Sequence, residues 1–467
     1  MTTVELPISS GEPEYDSAEP THARGRSRSN AVETACVLLI LAFGAGISWI
    51  RLSPTTRGTL WAEDVRNFIG NAVRSGPVTP LMHPYAGYLQ LLPRLIADAT
   101  VAAVPVSGWA LSMAAGSCVV TAACAAVVFV CSREITNEVV IRLLLAGITL
   151  LDPLAPREVL GNTANLHWYF LWMTPWLLLY RPRSRVGGWV LGAVALLAAL
   201  SEIQMVLFVP LLLWRWRDRP RMPIRGLYLA GVVAQLIATI SVPRATSAGH
   251  LLGPGALAYG YLINGVMTIF DPNPKAVGFL ITLGGPVIGL MLLIPFAVAT
   301  GYVLVSGSAV QRILASALGA GSLVLYPLAV EISPGPFYDY PAMSRTQLAD
   351  PWLARYGVVP SMFLIALIPL ACAVWARQHR TTSAAGRPSI QRSILVPTVL
   401  LSLMILLVVH LVPAATRRSG GPVLATQVTA QEAACTGQPV DRPVTLVGDP
   451  GPGWKVELTC GYLRDHH

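Results

Sequence analysis

Two neighbouring carboxylates, Glu63 and Asp64, lie in a polar segment, residues 61–93, directly after the first long apolar run. The segment goes on to His83, followed by Pro84, and to two tyrosines, Tyr85 and Tyr88. A carboxylate held beside a membrane can serve as a general base, taking the proton of a hydroxyl as it attacks. Asp152, Glu158, Asn165, His167, Glu202, Lys275 and Arg355 stand at the borders of later apolar runs. Ionisable groups near a bilayer are costly, so a set of them on one face points to function. The plainer reading is ordinary loop charge. Val65, Phe68, Ile69, Ala72 and Val73 recur at helical spacing after Asp64, which predicts a short amphipathic helix beginning there. A carboxylate at that position also caps the helix, worth about 1 kcal/mol, and the two roles are compatible.

The elements that position these groups follow from composition. The chain has 467 residues, 54% hydrophobic and 12% charged. Soluble domains carry about 25% charged residues, so a deficit over this whole length predicts a polytopic membrane protein. The apolar runs are long and continuous, which predicts helices and excludes a barrel of short alternating strands. The net charge of +9 is no sign of nucleic-acid binding. Its arginines sit in short clusters between apolar runs, as in cytoplasmic loops.

Threading those clusters to the inside gives about 11 spans. Residues 1–30 read as a disordered cytoplasmic tail. The first span is 31–50, and outer loops are expected at 51–107, 152–165, 243–275 and 331–356. Spans fall near 109–131, 138–151, 166–180, 186–200, 203–214, 226–242, 276–305, 313–330, 357–376 and 393–413. Within the first loop, 85–104 is apolar but holds Arg94 and Asp98, which fits the membrane interface. An apolar piece at 256–270 re-enters the membrane or lies flat. The strongest inner signal is 215–225, with Arg377, Arg380, Arg387 and Arg392 in a later inner loop. The membrane unit is thus 31–413. The N-terminus is inside and the tail, 414–467, is outside a plasma membrane.

Five cysteines (Cys36, Cys118, Cys124, Cys131, Cys372) lie in apolar runs as small core residues. Cys435 and Cys460 lie in the polar tail. Together they close one loop, which points to a disulfide and an oxidising side. Modest alternation in 442–448 and 454–460 with Pro-Gly turns between predicts a small β-hairpin unit, too small to be a catalytic domain.

The order of these features resembles the GT-C superfamily of polytopic membrane glycosyltransferases. In that superfamily a first span is followed by an acidic pair, an aromatic, a His-Pro step and an aromatic-rich interfacial segment. Asp64 with Phe68, and His83 with Pro84 and Tyr85, carry the likeness here. The acidic pair is Glu-Asp rather than Asp-Glu, and Tyr85 stands where a second proline is usual. NLHWYF (165–170) and ARYGVVP (354–360) extend the likeness more loosely. The resemblance implies transfer of a hexosyl or pentosyl group from a polyprenyl-phosphate donor to an extracytoplasmic glycan, lipid or protein acceptor, with inversion. A phosphate leaving group needs no general acid, unlike the alkoxide of glycoside hydrolysis. The spacing to Phe68 favours Asp64 as base, with Glu63 as the alternative. Arg355, or else Lys275, would meet the phosphate; the plain role of Arg355 is a snorkelling anchor. His83 and Tyr85 would position a substrate, and Asn165 and His167 would bind sugar hydroxyls. No cofactor is implied, and no metal-ligand spacing appears, although Asp64, Asp152 and Glu158 could share a divalent ion. A transporter or flippase, expected to show internal repeats and midplane charges, and an inactive scaffold of the same fold are the competing readings.

Overall fold

The structure, a computed structural model, describes residues 21–244, 251–333, 335–382, 390–412 and 416–466. The first twenty residues of the predicted tail, Arg387, and the side chains of Arg24, Arg26, Arg28, Arg380 and Arg392 lie outside the described part. From Thr21 the chain is helical, ten residues before the expected start, in the helix Thr21–Ile50.

Among the described residues, seven helices are long and apolar enough to cross a membrane: Ala31–Ile50, Val106–Glu134, Val139–Glu158, Arg219–Ser241, Pro286–Ser306, Ala309–Ile332 and Arg355–Gln378. Shorter apolar helices cover Arg185–Ala199, Ile203–Leu213, Pro274–Gly284 and Ile394–Val409. The chain is a helical, multi-pass membrane protein. Buried share separates the centre from the rim: 89% of an 18-residue apolar stretch of Arg355–Gln378 is buried by protein, against 17% of the corresponding stretch of Ala31–Ile50. The central helix, Val358–Thr382, packs on Pro286–Ser306, Ala309–Ile332, Val139–Leu151 and Leu166–Leu179. Apolar side chains left outside, such as Phe43, Val119 and Ile294, face lipid, which solvates them as well as a protein core would.

Local chemistry redraws several expected boundaries. The run 276–305 is not one helix. Gly285, at φ +57, and Pro286 split it into Pro274–Gly284 and Pro286–Ser306, since an α-helix carries neither a left-handed residue nor an interior proline easily. The segment 203–214 is a 3-10 helix, Ile203–Leu213, with Pro210 inside it. The piece 256–270 is not one continuous α-helix. It forms Pro254–Tyr261, a wide turn Leu262–Met267 and Thr268–Phe270, with Ile263 to Ile269 buried against the bundle.

The two ends of the bundle are tied together by different contacts. At one end Glu33 pairs with Arg133, with Arg142 (2.7 Å) and with Arg183 (3.8 Å), and Arg221 pairs with Glu134 (2.8 Å) and with Asp218. At the other end Arg51, wholly buried, donates to the carbonyls of Asp152 (2.9 Å) and Leu411 (3.2 Å). It thereby fastens the end of the first helix to the ends of two others, where helix dipoles favour a cation.

The tail is more helical than its sequence predicts. Pro443–Val447 pairs antiparallel with Lys455–Thr459, Pro443 opposite Thr459. Helices Leu424–Cys435 and Cys460–Asp465 flank this hairpin, and a Cys435–Cys460 disulfide joins them. Closing a 25-residue separation contributes about 3 kcal/mol in the chain-entropy account. The inward alternation of Val444, Leu446, Val456 and Leu458 covers Leu60, Trp61, Val65, Phe68 and Ile69. The tail is therefore a brace for the segment that carries the acidic pair.

Candidate functional site

The brace sets where the acidic pair begins. The Asp449 amide donates to Leu60 O (3.0 Å), and Trp61 and Asp449 form a parallel bridge. A Cβ on Gly448 would lie 2.7 Å from Val65 Cγ1 and 2.9 Å from Leu60 O, so only glycine allows this approach. After Trp61 the chain winds into a wide helical turn, Asp64–Ile69, and then Gly70–Ser75.

The two carboxylates point different ways. Asp64 is 1% exposed. Its oxygens accept from the Thr163 hydroxyl (2.7 Å), Thr163 N (3.2 Å) and Ala164 N (2.9 Å). Burial pushes its carboxyl up to about 6, against the opposing pull of Thr163 and of the Arg418 charge. Asp64 shares the inward face of the helix with Phe68, as residues four apart do. That face is the packing face. Asp64 makes no N-cap hydrogen bond and does not line the cavity; it ties the first loop to residues 163–164. Glu63, half-buried, does line the cavity.

This cavity, about 340 Å³, is bounded by Glu63, Tyr85, Asn165, His167, Glu202 and Arg355 among others. Its volume lies within the usual range of small-molecule sites. Its wall collects the end of Ala309–Ile332, the starts of Leu166–Leu179 and Arg355–Gln378, and the turn between two short helices. All of them lie at the end of the bundle away from the Glu33 and Arg221 ion pairs. Arg355 is ion-paired to Glu158 and stands 5.3 Å over the Tyr356 ring. His167 Nε2 is 3.7 Å from Glu202, and its ring lies against Trp168, which in turn packs on Tyr356. The other Glu202 oxygen accepts from Gln204 N (2.9 Å). Burial pushes the Glu202 carboxyl up to about 7, where a side chain can hold or release a proton near neutral pH. Tyr85 and Tyr88 exchange both backbone hydrogen bonds across a turn with Ala86 at φ +53 and Gly87 at φ +84, which presents this turn to the cavity.

The remaining candidates divide. Asn165 lines the wall, but its Oδ1 accepts from Trp168 and its Nδ2 donates to Glu158 O. His83 is exposed; its ring contacts Thr79 O (2.7 Å), and its carbonyl accepts from Arg94. Lys275 is exposed near the start of Pro274–Gly284. Neither His83 nor Lys275 reaches the cavity. Asp152 is taken up by Ser361 (2.7 Å) and two backbone amides. Asp64, Asp152 and Glu158 thus have separate partners, and among the described residues no group of three His, Cys, Asp or Glu side chains is arranged to hold a metal ion.

Three lining residues carry no motif that would single them out: Gln90, Gln204 and Arg244. Gln90 Oε1 and Gln204 Oε1 are buried without a hydrogen-bond partner. Buried acceptors are seldom left unmade, so these two are free to receive hydroxyl protons from a ligand. No family model, no curated protein and no solved structure matches the chain, so the cavity itself must carry the functional argument.

Proposed function

We propose that the protein is a membrane glycosyltransferase of GT-C type. In this reading it transfers a sugar from a polyprenyl-phosphate donor to an acceptor hydroxyl on the outer face of a plasma membrane. The observation that carries the reading is the composition of one cavity: a free carboxylate, two guanidiniums and two unpaired amide oxygens at the loop end of a lipid-embedded bundle. A sugar offers hydroxyls to Gln90 and Gln204. A phosphate calls for a guanidinium. An attacking hydroxyl calls for a base, and Glu63 is the lining carboxylate with no ion pair among the described residues. The Arg-rich opposite end supports placing the cavity outside, and the tail disulfide agrees with an oxidising side.

The chemistry closes on these groups. The acceptor oxygen forms a bond to the anomeric carbon as the bond from that carbon to the phosphate oxygen breaks. The acceptor proton passes to Glu63, and the electron pair leaves on the polyprenyl phosphate. Attack opposite the leaving group inverts the centre. A protonated Glu202 donates a hydrogen bond beside the anionic donor, where a second charged carboxylate would repel it.

The direct experiment is lipid and glycan analysis of cells lacking the protein. A sugar-loaded polyprenyl phosphate or an unextended glycan should accumulate and disappear on complementation; an unchanged profile of both would defeat the reading. Glu202 adds a pH test. In the purified protein, kcat/KM should fall as pH rises through about 7, where Glu202 loses its proton. Glu202→Gln imitates the protonated form and should stay active at high pH. A rate that climbs through pH 7 in the wild type and vanishes in Glu202→Gln would make Glu202, not Glu63, the base.

A further inference from the structure

Two guanidiniums line the cavity, and they are not equivalent. Lys275 lies outside the cavity. Arg355 lines it, but its charge is answered by Glu158. Arg244 lines it too; among the described residues its guanidinium makes one hydrogen bond, to the neutral Ser333 hydroxyl (2.6 Å), and no ion pair, with Glu202 and Tyr88 as its electrostatic neighbours. Its other donors are left for a ligand.

Arg244 is also held in place. It follows the end of the span Arg219–Ser241, and its bond to Ser333 reaches the end of Ala309–Ile332. On its backbone side sits the turn of Ala86 and Gly87. A Cβ on Gly87 would lie 3.0 Å from Arg244 Cβ and 3.1 Å from its N. Gly87, at φ +84, suits the left-handed conformation that glycine accepts without penalty, and its bare face lets the turn close on Arg244. Ile240, Val242 and Ile332, next along the chain to Arg244 and Ser333, are apolar and exposed. A guanidinium at the depth where a span ends, flanked by lipid-facing side chains, suits a phosphate whose tail remains in the bilayer.

We infer that Arg244 is the phosphate-binding side chain of the cavity and that its ligand is the phosphate of a lipid-linked sugar donor. This rests on the glycosyltransferase reading above and names the residue that would hold the donor. Arg355 then serves as a positioning residue, fixing Glu158 and the Tyr356 wall.

The test uses the full chain purified in detergent, with a C55 polyprenyl monophosphate and the uncharged polyprenol of the same length as probes. The wild type should bind the phosphate form roughly 10- to 100-fold more tightly, the usual worth of hydrogen bonds to a charged group. Arg244→Ala should reduce that preference to near unity, Arg244→Lys should keep part of it, and Arg355→Ala should keep most of it. Gly87→Ala should weaken it, because the added methyl displaces Arg244 while leaving every charge present. A folded Arg244→Ala with the wild-type preference would overturn the assignment and leave the wider reading intact. A wild type with no preference would overturn both. Should Arg244→Ala not fold, unchanged preference in both Gly87→Ala and Ser333→Ala would refute the role. Inorganic phosphate binding as tightly as the lipid phosphate would overturn the lipid-linked ligand.

Discussion

Glu63→Gln is expected to lower sugar transfer by about 10²- to 10⁴-fold, the usual worth of a general base, without loss of folded protein. The glutamine keeps the shape of the side chain but cannot take up the acceptor's proton. Glu63 is half-buried at a cavity wall and has no ion pair among the described residues, so its replacement strands no partner. The measurement is turnover per mole of purified protein, with a melting curve alongside. Donor binding should persist, because the base acts on the acceptor. Near-normal turnover by Glu63→Gln would remove this carboxylate from the chemistry.

Asp64→Ala should do the reverse and fail at folding. It would leave the buried amides of Thr163 and Ala164 without acceptors. At about 1–3 kcal/mol for each unmade buried bond, the loss is roughly 2–6 kcal/mol, a large part of the stability of a typical domain. Asp64→Asn is milder, since its oxygen still accepts while its amide faces the Thr163 N–H. It also carries a pH signature. The folded carboxyl titrates near 6, above the roughly 4 of an unfolded aspartate. Between those values the folded state binds more protons, so the contribution of Asp64 to stability is greatest below about pH 4 and declines as pH rises to about 6. Asp64→Asn should lack that decline. Thermal melts of both variants across this range test the assignment; an Asp64→Ala protein as stable as wild type would show that the Thr163 and Ala164 contacts carry no weight.

The contrast between these two residues shows where linear reading stops. Spacing to Phe68 marks Asp64 correctly as belonging to one helix face with an aromatic. It does not say whether that face meets a substrate or a hydrophobic brace. The brace comes from residues 424–463, more than three hundred positions away, and it covers the Phe68 face. Glu63, one position earlier, is turned by about 100° and reaches the cavity instead. Arg355 and His167 were legible as polar groups at span borders, and both line the cavity. His83 and Lys275 carried similar signals and lie outside the cavity, because a border position in the sequence does not say which borders meet in space. Gln90, Gln204 and Arg244 had no signature, since sugar and phosphate contacts are dispersed single residues.

By itself the sequence determined that this is a multi-pass helical membrane protein whose polar residues gather at span borders. Those properties depend on composition and on runs of about twenty residues, which are local sums. The tertiary structure decided which borders converge. It placed Glu63 rather than Asp64 in the cavity, set Arg244 beside Glu202, and turned the tail into the support of the first loop. Each of these depends on contacts between positions far apart in the chain, where one turn of helix or one glycine in a left-handed conformation redirects a side chain by many ångströms.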